Sequence, residues 1–243
     1  NNKLTLSTDF FGEKPLYLYQ NLENIYICSE PYPLVKSLNI GFKPSKKDIY
    51  FFLGNGFMDY DNQGFQNLSR VKPGYIYEIE EGKIINKINF FNRKIPKIRP
   101  NNENYEKKVE NILLDSVIKR TRADVDVGVF LSSGIDSVLT ACLLKEVIGK
   151  EFICLTSTTG VEDEEYYKAN KICKFLGIVH KPIFFEKKFK ISDSPKELVD
   201  LYTVPNDNLS GLAIANLSKF SGNILKVAYV GTGADEIFAG YNK

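Results

Sequence analysis

Histidine is almost missing from this chain: His180 is the only one in 243 residues. A metal centre built on several imidazoles is therefore excluded, and His180 itself reads as a structural residue. Cysteine is scarce as well. Cys28, Cys142, Cys154 and Cys173 form no CxxC pair and no ligand cluster, so neither a zinc site nor a disulfide framework is indicated. Each lies in an apolar run and reads as a small buried hydrophobe in a reducing compartment. No run approaches the roughly 18 consecutive apolar residues of a membrane helix, and no signal peptide is visible. The net charge is only +2. That is too little to argue for nucleic acid or a membrane surface as a partner. Lys187, Lys188 and Lys190 read as a solvated face rather than a binding patch. The expectation is a cytoplasmic protein.

What is present is an ordinary globular composition, 43% hydrophobic and 26% charged, enough for one large domain or two modest ones. Both ends read as cut. Residues 1–11 open inside a strand-like run without a start methionine, and the chain stops shortly after a second glycine-rich motif.

The first ninety or so residues are β-rich in pattern. Short aromatic and branched runs over 4–10, 15–19 and 24–29 are separated by polar turns. Ser45 is placed to cap a helix over 46–53. Alternating runs over 75–80 and 83–91 flank Glu81-Gly82, a hairpin signal. Residues 92–102 carry basic side chains, Pro96 and Pro100, which is a linker signature. We therefore expect domains over 1–95 and 103–243.

Beyond the linker the pattern changes. Helical spacing of Val109, Ile112, Leu113, Val117 and Ile118 predicts a helix over 103–122. Strands over 127–131, 152–157, 179–185 and 226–230 then alternate with helices over 137–148, 164–176, 195–201 and 212–220. That alternation predicts a doubly wound parallel sheet with helices on both faces.

In such a sheet, ligands sit beyond the carboxyl ends of the strands. Two strand ends carry chemistry. The run VGVFL is followed by SSGIDS, and a helix begins at once. Gly134 lets backbone approach an oxyanion. Ser132, Ser133 and Ser137 offer hydroxyls, and a helix N-terminus presents unpaired amides to phosphate. Asp136 is repulsive to phosphate unless a cation lies between, which suggests Mg²⁺. The motif lacks the Gly-Lys-Ser/Thr of a Walker loop and is not GxGxxG. A plain Ser/Asp helix cap with a tight turn fits it as well. The second strand end repeats the logic: KVAYV is followed by GTGADE. Asp136 and Asp235 could share one Mg²⁺ bridging a polyphosphate. A Gly turn with an acidic first helical turn is the alternative there.

These residues resemble the asparagine synthetase family of glutamine-dependent amidotransferases. LSSGIDS resembles its pyrophosphate loop, Ser-Gly-Gly-x-Asp-Ser, and GTGADEIFAGY resembles Gly-x-Gly-x-Asp-Glu-[Leu/Val]-Phe-x-Gly-Tyr. VPNDNLSGLAIANLSKF follows the family's Pro-containing segment before the final strand. TDFFGEKPLYLY, ICSEPYPLVKSL and VKPGYIYEIEEGKI resemble parts of its class II glutaminase domain. The resemblance covers essentially the whole chain.

It implies a two-domain α+β and α/β protein. A partial β-rich N-terminal-nucleophile-type glutaminase domain, without its catalytic N-terminus, would precede the start of an ATP-pyrophosphatase synthetase domain. Glutamine would be hydrolysed to ammonia, aspartate adenylated by Mg-ATP with release of pyrophosphate, and AMP displaced by ammonia. By the resemblance, Leu131, Ser157, Val230 and Gly231 would line the adenosine, and residues 132–137 (Ser132, Ser133, Gly134, Asp136 and Ser137 among them) would hold the pyrophosphate. Asp136 and Asp235 would carry Mg²⁺. The implied cofactors are ATP and Mg²⁺. The implied partners are small molecules (aspartate or another carboxylate, and glutamine or ammonia), with a homodimer left open.

Three departures stand out. Residue 1 is Asn and Cys28 lies in a strand-like run, so the family's N-terminal Cys nucleophile is not in this chain and no glutaminase activity is expected of it. Ser133 stands where Gly is usual, which costs backbone freedom and adds a donor. Thr232 stands where asparagine synthetases have a Glu thought to help deprotonate ammonium, and Thr is no general base at neutral pH. A relative forming a different amide (a β-lactam or peptide cyclising enzyme, or a modifier of a sugar acid or polymer) therefore stays open. So do a degenerate nucleotide-binding paralogue and an α/β protein with fortuitous motifs.

Overall fold

The computed structural model describes residues 3–91, 104–149, 151–184 and 194–241. The expected linker over 92–102 and the lysines at 187, 188 and 190 lie outside them. The elements in chain order are β1 (Lys3–Ser7), β2 (Tyr17–Gln20), β3 (Ile25–Cys28), α1 (Pro31–Ser37), α2 (Lys46–Asn55), β4 (Leu68–Arg70), β5 (Tyr75–Glu80) and β6 (Lys83–Asn89). There follow α3 (Tyr105–Arg120), β7 (Val127–Phe130), α4 (Ile135–Ile148), β8 (Ile153–Thr158), α5 (Glu164–Leu176), β9 (Val179–Phe184), α6 (Ser194–Tyr202), α7 (Ser210–Ser221), β10 (Val227–Tyr229) and α8 (Ala234–Phe238). Contacts group residues 1–98 with 190–212 as one unit, and 99–189 with 213–243 as the other.

The first unit holds two antiparallel sheets, β1-β5-β6 and β3-β2-β4. Glu81 and Gly82 both take positive φ, 47° and 70°. A two-residue hairpin needs that left-handed pair, as the sequence signal implied. Ser45 caps α2 as expected: its hydroxyl accepts the Asp48 amide at 3.2 Å, and the Asp48 carboxylate accepts the Ser45 amide at 2.7 Å. This reciprocal pair satisfies two donors at the helix start. The strand expected over 4–10 stops at Ser7. Asp9 ends it by collecting the amides of Phe11, Glu13 and Lys14 on its carboxylate. Leu18, Val71 and Tyr77 form one buried cluster. Tyr17, Leu34, Phe65, Leu68 and Val204 form another. Phe57 bridges Asn206. The segment after α6 therefore packs with this unit, although the sequence division assigns it to 103–243.

The second unit is a four-stranded, wholly parallel sheet in the order β10-β7-β8-β9. Strand alternation sends its side chains to two faces. Val127, Val129 and Cys154 meet Ala141 and Leu144 of α4 and Ala169 and Cys173 of α5. On the other face Leu155, Ile153 and Phe130 meet Leu217 of α7 and Leu225. Each large side chain so buried contributes about 1.5–3 kcal/mol. Helices thus cover both faces, the doubly wound arrangement predicted. Gly128 marks how closely the second face is packed: a β-carbon there would lie 2.5 Å from the Ile153 carbonyl oxygen and 2.6 Å from Leu225 Cδ2.

The strand order positions the site. The chain steps from β7 to β8 to β9 in one direction, then returns to add β10 on the far side of β7. The connections leaving β7 and arriving through β10 therefore run over opposite faces, which makes the carboxyl ends of this strand pair the switch point where open α/β sheets bind ligands.

Candidate functional site at the ends of β7 and β10

Leu131 extends the pairing of β7 by one bond, its amide donating to the Leu155 carbonyl at 2.9 Å. The turn that follows is held by its own hydroxyls. The Ser132 amide donates to Ser137 Oγ at 3.0 Å, and the two hydroxyl oxygens are 2.8 Å apart. The single Ser137 proton faces the carbonyls of Ser132 (2.9 Å) and Gly134 (3.1 Å). Ser132 Oγ must therefore donate within the hydroxyl pair. It accepts the Gly134 amide in turn, at 3.2 Å. Ser133 turns toward α5, where its amide and its hydroxyl both donate to the Glu165 carboxylate, the hydroxyl at 2.7 Å.

The loop's own donors are thus committed internally. What α4 offers an anion is its first turn, whose amides at Ile135, Asp136 and Ser137 are those an α-helix leaves without an intrahelical acceptor. Gly134 caps the helix without a side-chain bond. The helix starts two residues before the expected 137, so Asp136 sits inside its first turn.

Behind the loop lies a second polar chain. Thr156 Oγ1 donates to the Leu131 carbonyl at 2.9 Å and lies 3.0 Å from His180 Nε2. Because the threonine has one proton and gives it to Leu131, Nε2 must carry the hydrogen in that contact. Burial pushes the His180 pKa down, and its ring stacks on Tyr166 at 5.7 Å between centroids. His180 is anchored to the end of β7 through Thr156. Ser157 is half-buried on β8. The loop after it is tied by Asp163, whose carboxylate accepts the Thr159 amide at 3.0 Å and the Thr158 hydroxyl at 3.1 Å.

β10 pairs in parallel with β7, Tyr229 opposite Val129. Val230 is exposed beyond it, and Thr232 is exposed in the loop. Gly231 meets the first turn of α4: a β-carbon there would lie 2.8 Å from both Asp136 Cβ and the Ser137 amide nitrogen. Gly233 takes φ 98° as it opens α8, with Asp235 in the first turn of that helix. Tyr241 Oη donates to Glu236 at 2.8 Å. Its pKa is raised chiefly by that bond, with the charges of nearby carboxylates adding to it.

Asp136 and Asp235, each in the first turn of its helix, are the carboxylates that could hold a cation. Among the described residues no three His, Cys, Asp or Glu side chains converge. A cation held by Asp136 and Asp235 would take its other oxygens from a polyphosphate and water, which is the habit of Mg²⁺.

The family model "Asparagine synthase" matches residues 108–243, and "Glutamine amidotransferase domain" matches residues 1–90. The chain belongs to the asparagine synthase family. Relatives of this family include asparagine synthetase [glutamine-hydrolyzing] 1 of Bacillus subtilis, 26% identical over 96% of this chain and 37% of its own length. The asparagine synthetase [glutamine-hydrolyzing] of Sandersonia aurantiaca is 29% identical over 99% of this chain and 42% of its own length. The chain thus spans less than half of the curated relatives it matches. Among solved structures, an NH3-dependent NAD synthetase from Campylobacter jejuni aligns at TM-score 0.39 and 19% identity, over 58% of this chain and 62% of that one.

Two contacts at the end of β7 were not legible as a pattern. Glu165 lies 32 positions from Ser133, and Thr156 and His180 look like ordinary strand residues. A cavity of about 690 Å³ in the first unit, bordered by Gln20, Asn21, Asp61, Asn67, Ser69 and Lys87 among others, contains none of the residues singled out from sequence. Among the described residues no helix is long and apolar enough to cross a membrane.

Proposed function

We propose that the second unit binds Mg-ATP in the crevice between the ends of β7 and β10 and adenylates a carboxylate for amide formation, with aspartate as acceptor and glutamine-derived ammonia as nitrogen source. The observation that carries this is the seating of Gly231 on Asp136 and Ser137, which joins the two motifs into one phosphate-facing surface. The first turn of α4 directs amides and partial positive charge at the β- and γ-phosphates. Asp136 and Asp235 would hold the Mg²⁺, which when bound supplies charge neutralisation for the departing pyrophosphate. Leu131, Ser157 and Val230 would border the adenosine.

The acceptor carboxylate forms an O–P bond to the α-phosphorus, and the bond to pyrophosphate breaks. Ammonia then forms the C–N bond, AMP leaves with the ester oxygen, and the nitrogen gives up a proton. Charge on the leaving group is what preorganised amides stabilise best. On this reading residues 1–95 are the later part of a class II glutaminase domain and 103–243 the start of the synthetase domain, in a cytoplasmic enzyme.

Thr232 favours a second reading. It is exposed where a base would be wanted, so a family relative making a different amide fits that position equally well. ATP–pyrophosphate exchange separates the two. Exchange that requires aspartate supports asparagine synthesis. Exchange driven by another carboxylate and not by aspartate moves the acceptor to that compound. Failure of every carboxylate to drive exchange contradicts adenylation itself.

A further inference from the structure

We propose that Glu165 is a positioning residue for the pyrophosphate loop, holding Ser133 back so that the first turn of α4, and not residue 133, meets the phosphates. The inference rests on the nucleotide reading above and deepens it. Its basis is the two-pronged contact at the end of β7. One carboxylate accepts both the amide and the hydroxyl of Ser133, and hydrogen bonds to a charged group are the stronger kind.

Ser132 and Gly134 are exposed, whereas Ser133 between them and Glu165 opposite are half-buried. Both donors of Ser133 are taken by Glu165, so neither is left for an anion. A carboxylate on the open side would repel pyrophosphate. On the inner side it completes the loop, because every donor of residues 132–134 then has an acceptor within the protein.

The same helix end ties a second loop. Asp163 caps α5 by accepting the Glu165 amide at 3.0 Å, and it also accepts Thr158 at the end of β8 and Thr159 just beyond it. The start of α5 is thus a clip between the strand end proposed for pyrophosphate and the one proposed for adenosine. Glu165 serves the first and Asp163 the second. The serine at 133 is matched to this clip: it supplies the hydroxyl that the second carboxylate oxygen takes.

The test is titration of the full chain with pyrophosphate and, separately, with adenosine, for wild type, Glu165→Ala, Glu165→Gln, Ser133→Gly and the Glu165→Ala/Ser133→Gly pair. Thermal unfolding of each variant checks the fold. Glu165→Ala should weaken pyrophosphate roughly tenfold or more, the scale of losing a charged hydrogen bond, and leave adenosine binding unchanged. Ser133→Gly should lose less, since its amide still reaches Glu165. The double variant should be no worse than Glu165→Ala, because the two act as one unit. Glu165→Gln should fall between, and it keeps the test informative where the alanine variant does not fold. Equal loss of adenosine and pyrophosphate binding would overturn the inference as mere loss of structure. Tighter pyrophosphate binding in Glu165→Ala would overturn it by making the carboxylate a competitor, and unchanged binding would overturn it while leaving the nucleotide reading intact. Wild-type chain that binds neither ligand would overturn both together.

Discussion

Gly231 rests against Asp136 so closely that a β-carbon on the glycine would lie 2.8 Å from the aspartate's own. Two motifs separated by almost a hundred residues meet there, because β10 is laid beside β7 at the point where strand order reverses. Replacement of Gly231 by alanine should therefore damage the crevice while the sheet survives. Overpacking of this kind costs about 1–3 kcal/mol. We expect a lowered unfolding temperature and at least a tenfold weaker ATP interaction, since the methyl group must displace the Asp136 turn. An alanine variant that binds ATP as wild type does would show that the two loops need not touch.

Thr232 is the position at which the two readings of the acceptor can be told apart. If the protein makes asparagine, Thr232→Glu adds a carboxylate where a base is useful, and ammonia-dependent asparagine formation should rise, a positioned base being worth roughly 10²–10⁴-fold. If another amide is the product, the same change should lower the native activity and create no asparagine synthesis. Product analysis by mass spectrometry distinguishes them, and no change in either activity would mean that residue 232 does not face the acceptor.

The cysteines should separate into two classes. Cys154 and Cys173 are buried against each other in the core, and Cys28 and Cys142 are half-buried. Cys154 is pushed well above an ordinary thiol by its hydrogen bond with Cys173 and by burial, so it holds its proton and resists alkylation. Iodoacetamide on the native chain should label Cys28 and Cys142 first, as read by peptide mass spectrometry. Early labelling of Cys154 would contradict the packing of β8 on α5.

His180 makes a directional claim about pH. Burial lowers its pKa in the folded state, so the unfolded chain takes up a proton before the native one does. Its contribution to stability is complete above the unfolded value of about 6.5 and is lost as pH falls from there through the lowered native value. Unfolding midpoints measured from about pH 7.5 down to about pH 5.5 should drop less in His180→Gln than in wild type, because glutamine does not titrate in that window. An identical drop in both would remove His180 from this account.

Much of this architecture is legible in the sequence because local and global signals agree. The apolar run at 127–131 followed by small polar residues predicts a strand ending over a helix start, and that is what β7 and α4 do. Ser45 and Glu81-Gly82 carry their caps and turns in their own chemistry. Other elements are specified by partners far along the chain. β4 is only three residues long and exists by pairing with β2, Tyr17 opposite Arg70. α1 carries Pro31 and Pro33 in seven residues, too few turns for helical spacing to show. Ser133 is the instructive case at the site. From sequence its hydroxyl is one more phosphate donor, but its partner Glu165 is set by the crossover of α5, which no local pattern encodes.

The most direct measurement is calorimetric titration of Mg-ATP into the full chain and into its Asp136→Asn and Asp235→Asn variants, with and without Mg²⁺. We expect Mg²⁺-dependent binding to the wild type and loss of that dependence when either aspartate becomes an amide, with the unfolding temperature of both variants near wild type. Equal Mg²⁺-dependent affinity in all three proteins would contradict a nucleotide site between the ends of β7 and β10.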